Sequence, residues 1–431
     1  MTTEQDSKDL PDIEVGEDHV LAHNVDEEPV EANRRLFEGG LLKFVALLAI
    51  AYSAFHLYSL NIAPLETWSF RIVHIAGALV LGFVLFAGAR FVSSEEGGAR
   101  HRWTTWISAG AMLPALYVLY QTFSFWQMVQ NGAMRIPVEL EVWHFGWPLL
   151  AATGVGIVMS WFHQRERSVF SVPDLVLIVC SLAVAAYFLV VYNTSMRMST
   201  GTSFAPVGIS FAAIAGTALI MELTRRVAGM ALVIIGLVFL AYVFAGPYLP
   251  GFLGYPGLSV QRFFSQVYTD AGILGPTTAV SSTYIILFII FAAFLQSSKV
   301  GDYFVNFAFA AAGRSRGGPA KVSIFASGLM GMINGTSAGN VVSTGSLTIP
   351  LMKKVGYSKQ SAGAVEAAAS TGGQIMPPIM GAGAFIMAEI TGIPYTEIAI
   401  AAIIPAILYF ASVYFMVDFE AAKTGMRGMR E

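Results

Sequence analysis

An all-α polytopic membrane protein of about ten spans, with one re-entrant helical hairpin and one broken helix, is the fold class predicted for this 431-residue chain. Three observations predict it. First, hydrophobic residues make up 55% of the chain and charged residues 12%, with a mean hydropathy of +0.63, far from soluble averages. Second, the apolar residues fall in runs of about 20, the length that crosses a bilayer as a helix. Third, residues 321–390 are apolar enough for membrane depth but carry Asn334-Gly335-Thr336-Ser337-Ala338-Gly339-Asn340, then Ser370-Thr371-Gly372-Gly373-Gln374 and Pro377-Pro378. Non-helical backbone at that depth is tolerated only where it is buried in protein or lines a cavity.

The elements follow in order. Residues 1–33 are rich in Asp and Glu and poor in aromatics, which predicts a weakly ordered tail; the acidic cytoplasmic segment is taken as 1–36. No basic n-region precedes the first apolar run, so that run is expected to act as an uncleaved anchor. Spans are expected near 41–60, 71–92, 104–126, 143–161, 172–192, 204–221, 228–245 and 279–297, with a last one near 397–417. Cys180, the single cysteine, lies in an apolar run and reads as a small buried hydrophobe. The formal charge of −3 offers no nucleic-acid-binding surface.

Lys and Arg orient the spans. Arg34, Arg35 and Lys43 lie at the start of the first span; Arg90, Arg100 and Arg102 follow the second; Arg165 and Arg167 follow the fourth; Arg225 and Arg226 follow the sixth; Lys299, Arg314, Arg316 and Lys321 follow the eighth. The intervening loops carry Arg71, Arg135, Arg197 and Arg262. Every second loop is therefore basic, which puts the N-terminus in the cytoplasm. A single crossing by 322–352 would leave Lys353, Lys354 and Lys359 outside. Entry, a turn at 334–340 and return keep them inside, so a re-entrant hairpin over 321–352 is expected. Residues 360–390 then cross once, broken at 372–378, and the final span returns Lys423, Arg427 and Arg430 to the cytoplasm. The competing reading of 321–352 is one long tilted helix whose small residues serve packing.

The broken segments carry the chemistry. A buried hairpin tip offers unpaired N–H groups at one helix start and unpaired C=O groups at the other helix end. The N–H end suits a carboxylate, and the C=O end with side-chain oxygens suits a hard monovalent cation. The candidate cation-binding residues are Asn334, Gly335, Thr336, Ser337, Thr371, Gly373, Gln374 and Pro377; the candidate substrate-binding residues are Ser337, Asn340, Thr371 and Gly372. Glu366, an ionisable residue inside a span, is a candidate proton carrier, with cation ligand and helix–helix anchor as the other roles open to it. Glu222 beside Arg225 and Arg226 reads as a local ion pair at helix spacing. His56, His74 and His144 lack metal-ligand spacing and read as polar packing. Trp103, Trp106, Trp126, Trp143, Trp147 and Trp161 fall near span ends, as interfacial aromatics do. No Walker A, HExxH or GxSxG pattern is present, so neither an enzyme nor an ATP-driven pump is expected.

Three stretches carry a family resemblance: MELTRRVAGMALVIIGLVFLAYVFAGPYLPG (221–251), GRSRGGPAKVSIFASGLMGMINGTSAGNVVSTGSLTIPLMKKVGY (313–357) and AGAVEAAASTGGQIMPPIMGAGAFIMAE (362–389). They resemble the fused membrane permease of tripartite ATP-independent periplasmic (TRAP) transporters, and most closely its TAXI branch. The resemblance is firm over 205–425 and loose before that. It implies a small scaffold domain, 37–226, and a large transport domain whose first inverted repeat is 227–431. It further implies an elevator-type mechanism, a soluble TAXI-type extracytoplasmic binding protein that delivers an organic acid, and coupling to Na⁺ or H⁺ with no other cofactor. The location implied is the cell inner membrane, multi-pass, with both termini cytoplasmic. By the family motif, 334–340 and 371–377 form one cation site and one wall of the substrate site.

Two departures from the family pattern stand out. Six spans precede Arg225 where the pattern has four; the pair 104–126 and 143–161 is additional, and YVLYQTFSFWQMVQNGAMRIP weakly echoes YFLVVYNTSMRMSTGTS. These residues also hold one hairpin and one broken helix where the family has two of each. The expectation is that a second chain supplies the other repeat, with a fragment or an assembly of identical copies as alternatives. The competing functional class is a non-transporting membrane scaffold.

Overall fold

The computed structural model describes residues 33–89, 91, 98–133, 135–163, 167–192, 200, 202 and 205–425. All but the last residue of the acidic 1–33 tail lies outside the described residues, as do Arg90, Arg165, Arg197, Arg427 and Arg430. The described chain is helical throughout, with one isolated antiparallel bridge, Arg34 to Phe86. Fifteen helices are labelled here: α1 Gly39–Asn61, α2 Thr67–Leu85, α3 Gly98–Gln130, α4 (π turn Leu140–Gly146, then Trp147–Phe162), α5 Val172–Val191, α6 Val207–Ala228, α7 Met230–Ala245, α8 Val260–Val267, α9 (276–297, with a π turn Ser281–Ile285), α10 Val300–Ala312, α11 Gly318–Asn334, α12 Ser337–Lys354, α13 Lys359–Gly372, α14 Ala382–Thr391 and α15 Tyr395–Thr424. Among the described residues, eight helices are long and apolar enough to cross a membrane: α1, α2, α4, α5, α6, α7, α9 and α15. The chain is a multi-pass membrane protein.

Two compact bodies divide the chain: Val30–Leu287 with Glu389–Gly392, and Phe288–Ala388 with Ile393–Glu431. In the first, α5 is the central element. Its Leu177, Cys180, Val184, Tyr187 and Phe188 are buried among α2, α3, α4 and α6. The Tyr187 and Phe145 rings stack 4.3 Å apart. By contrast α1 is almost bare, with Leu47 and Ile50 each more than 60% exposed, and an apolar helix exposed this way faces lipid.

Charge beside the end of α2 is paired. The carbonyls at the end of α2 have no helical donors of their own. Arg35 donates to Phe83 and Val84 O (2.8 and 3.0 Å), Arg226 to Phe86 O (2.9 Å) and Arg225 to Gly88 O (2.8 Å). The same arginines grip two buried carboxylates. Asp174 bonds Arg35 and lies 2.8 Å from Arg226. Glu222 lies 2.7 Å from Arg226, 2.8 Å from Arg225 and accepts from the Trp161 indole at 2.9 Å. The local Glu222 pair thus belongs to a longer network that also reaches Asp174. Elsewhere in the body, His56 Nε2 lies 2.8 Å from His74 Nδ1, His74 Nε2 lies 3.0 Å from Ser281 Oγ, and His144 bonds the Tyr117 hydroxyl at 2.6 Å. Glu141, in the π turn of α4, accepts from the Tyr187 hydroxyl (2.8 Å) and Gly208 N–H (3.2 Å).

In the second body α11 is the buried element. Gly317, in the left-handed region at φ +65°, admits the chain, and Pro319 sits in the first turn, where no N–H is needed. One side of α11 packs on α10 through Val305, Ala308, Val322 and Ala326. Another packs on α12, α13 and α15 through Ala320, Ile324, Met352, Val365 and Val417. The Ser358 hydroxyl caps α13 by accepting from Ser361 N–H at 3.0 Å.

Candidate functional site

The turn between α11 and α12 is tighter than the sequence suggests. Residues 334–340 read as a non-helical stretch, but only Gly335 and Thr336 leave the helices; Ser337 to Asn340 form the first turn of α12. Gly335 takes φ +60° and ends α11 as a left-handed cap, its N–H bonded to Gly331 O at 3.2 Å, and Thr336 is extended. Two residues suffice because the left-handed glycine reverses the chain. The two helices then run back along one another, and Ser327 Oγ meets Thr344 Oγ1 at 3.0 Å.

The break after α13 likewise differs in extent. Gly372 still belongs to the helix; a short 3₁₀ turn, Gly373–Ile375, follows, and regular helix resumes at Ala382. Pro377 and Pro378 forbid continuation, and Gly381 N–H closes the loop on Gln374 O at 2.7 Å.

Tip and break touch at glycines. A Cβ on Gly335 would lie 2.1 Å from Met380 O, and one on Gly331 would lie 2.3 Å from Gly373 Cα. The Asn340 amide stands beside Gly373, whose own added Cβ would meet Asn340 Nδ2 at 3.0 Å. Asn340 is fully buried: Nδ2 donates to Ser327 O at 2.7 Å, while Oδ1 has no partner among the described residues. Asn334, Ser337 and Pro377 are half-buried, whereas Thr336, Thr371 and Gln374 are exposed. The Thr371 hydroxyl donates to Ala367 O at 2.7 Å, and Thr336 N–H donates weakly to Asn334 Oδ1 at 3.4 Å. The structure therefore gathers Gly335, Asn340, Gly373 and the loop through Met380, and leaves Thr371 and Gln374 on the exposed side. The first N–H groups of α12, at Ser337 to Gly339, have no intrahelical partner, so this end is electropositive; the carbonyl end of α11 beside it is electronegative.

Two helical turns from the tip lies Glu366, fully buried. Five hydroxyls surround its carboxyl group. Ser323 donates to Oε2 at 2.6 Å, Ser327 to Oε1 at 3.0 Å, Thr344 to Oε1 at 2.5 Å, Ser370 to Oε1 at 3.1 Å, and Thr348 completes the set at Oε2. Gly345 makes room, since a Cβ there would stand 3.0 Å from Glu366 Cγ. No Lys, Arg or His among the described residues forms an ion pair with it. Each hydroxyl has one hydrogen to give. Thr344 also faces Asn340 O at 2.8 Å, and Thr348 faces Thr344 O at 3.0 Å. Backbone carbonyl and carboxyl group therefore compete for these two hydroxyl hydrogens.

Sequence reading singled out Glu366 and missed the hydroxyls that hold it. The signal was present: Ser323/Ser327, Thr344/Thr348 and Glu366/Ser370 are three i,i+4 polar pairs on three successive helices. Such pairs share a helix face.

The family comparison bears on the second half of the chain, from within α6 onward. The family model of the tripartite ATP-independent periplasmic transporter DctM component matches residues 214–431. The chain is 37% identical over 91 residues to the C4-dicarboxylate TRAP transporter large permease protein DctM of Vibrio cholerae, a match covering 21% of this chain and 20% of that protein. It is 30% identical over 151 residues to the protein of the same name from Rhodobacter capsulatus, covering 34% of each. It is 25% identical over 138 residues to protein y4mL of Sinorhizobium fredii, covering 32% of each. The matches span between a fifth and about a third of these relatives' lengths.

Proposed function

Because the chain belongs to the DctM component family of TRAP transporters, a family of membrane permeases, we propose that it is the permease part of an ion-coupled importer of organic acids, with C4-dicarboxylates as the leading substrate class. The observation that carries this reading is the seating of the Gly335 tip against Met380 and of Gly331 against Gly373, two turns from the Glu366 nest. It brings an electropositive helix start, an electronegative helix end and a buried carboxyl group into one small region.

In this reading α11 and α12 form a re-entrant hairpin, and Asn334, Gly335, Thr336, Ser337 and the carbonyls of 371–377 hold a coupling cation. The free N–H groups of α12, with Ser337 and Asn340, receive a substrate carboxylate. Glu366 carries a proton, or anchors the hairpin while Na⁺ binds at the tip. Residues 37–226 act as scaffold and 227–431 as the first inverted repeat of an elevator-type transport domain. The other wall of the site comes from a second repeat on a partner chain, and a soluble, TAXI-type binding protein delivers the substrate. Lys and Arg placement supports an inner-membrane orientation with both termini cytoplasmic.

The test is uptake of labelled succinate into vesicles holding this chain, the partner carrying the second repeat and the soluble binding protein. Accumulation under an imposed Na⁺ or H⁺ gradient is expected. Uptake no greater than in protein-free vesicles would leave the scaffold reading in place.

A further inference from the structure

The second body also carries an apolar groove that begins at Met376 of the break. A groove of about 420 Å³ runs between α11 and α15, within the range of ligand pockets. Phe325, Gly328, Ile407, Phe410 and Phe415 line it, and almost no polar surface is present. Gly328 forms part of its floor, where a Cβ would only touch the Phe410 ring, at 3.4 Å, while a larger side chain would project into the groove. Phe325, Ile407 and Phe415 are each more than 40% exposed and form its outer edges.

One end of this groove is charged. Lys321 precedes Phe325 by one turn of α11, and Asp418 follows Phe415 and Tyr414 by one turn of α15, so both stand about 5 Å beyond the apolar wall. Lys321 Nζ lies 2.6 Å from Asp418 Oδ1 and 4.7 Å from the centre of the Tyr414 ring. Arg316 also bonds Asp418. Two cations thus share one carboxylate, leaving a local excess of one positive charge. The Lys321 side chain is 4% exposed and committed, whereas that of Arg316 is 52% exposed and keeps donors free to face outward. The 30 residues of α15 span about 45 Å, longer than the roughly 30 Å hydrocarbon layer. Glu397 and Asp418 lie 21 residues, about 32 Å, apart along α15, close to the thickness of that layer, so Asp418 falls at headgroup depth.

We propose that this groove is a binding site for one anionic phospholipid, its acyl chain along Phe325, Ile407 and Phe415 and its phosphate on Arg316. The charge excess selects the headgroup and the apolar wall seats the chain. A second protein surface would fill the groove but would leave the outward guanidinium without an anion at headgroup depth.

The experiment is native mass spectrometry of the full chain in mixed micelles of equimolar phosphatidylglycerol and phosphatidylcholine. Retention of phosphatidylglycerol should exceed that of phosphatidylcholine by about fivefold at this site, the worth of one arginine near an anionic headgroup. Arg316→Gln, at an exposed position, should remove that preference while leaving total lipid retention nearly unchanged. Gly328→Leu should fill the groove and lower retention of both lipids. Equal retention of the two lipids by the wild type, an undiminished preference in Arg316→Gln, or a second copy of the chain in place of lipid would each overturn the proposal.

Discussion

Gly331 of α11 and Gly373 after α13 meet backbone to backbone: a Cβ on the first would stand 2.3 Å from the Cα of the second. No side chain fits between them, so the hairpin arm and the break are held in register by the absence of atoms. Gly331→Ala should push them apart, at the cost of about 1–3 kcal/mol typical of overpacking. Gly363→Ala, on α13 with no atom within 4 Å of the added Cβ, should be neutral or slightly stabilising. Thermal unfolding in detergent compares the two, and equal midpoints would contradict the close contact.

Glu366 binds three helices together through hydroxyls on α11, α12 and α13. Replacing it with Ala strands up to five buried hydroxyls, and one or two left without partners already cost about 1–3 kcal/mol each. Glu366→Gln keeps an acceptor and the shape, so it should lose less stability than Glu366→Ala in the same unfolding assay. If Glu366 carries the coupling proton, the Gln variant should still exchange labelled for unlabelled substrate yet fail to accumulate it against a gradient. Normal accumulation by the Gln variant would restrict Glu366 to holding the hairpin.

Asp174 is the hinge of the arginine network, bonded to Arg35 from the segment before α1 and to Arg226 at the end of α6. Removing one partner of a buried ion pair leaves the other charge uncompensated, at about 3–5 kcal/mol. Asp174→Asn should therefore destabilise the protein strongly. The double variant with Arg35→Gln should lose less than the sum of the single losses, because the two residues share one interaction. Strict additivity in chemical unfolding would show that they do not interact.

The helices and the two interruptions could be read from sequence because their causes are local. Apolar runs of span length, Gly335 and Pro377-Pro378 act on their own stretch of backbone. The extent of the interruptions could not be read, because Ser337, Gly339 and Asn340 are weak helix formers that become helical only once Gly335 has reversed the chain and α12 can pack on α11 and α13. The Asp174 link was hidden for a similar reason: its partners lie 139 and 52 residues away, and no spacing rule joins them. Glu366 was visible as a charge in an apolar stretch. Its hydroxyl shell was visible only as three i,i+4 pairs whose convergence requires the hairpin.

In the proposed function the tip of α11 and α12, seated on the break after α13, holds the coupling cation. Initial uptake measured against Na⁺ concentration, and separately against pH, tests it in wild type, Asn334→Ala and Ser337→Ala. Loss of one ligand oxygen should shift half-activation by about tenfold, the worth of one charge-assisted contact, without abolishing folding. Ion activation curves for both variants that superimpose on the wild type would remove the tip from the ion site.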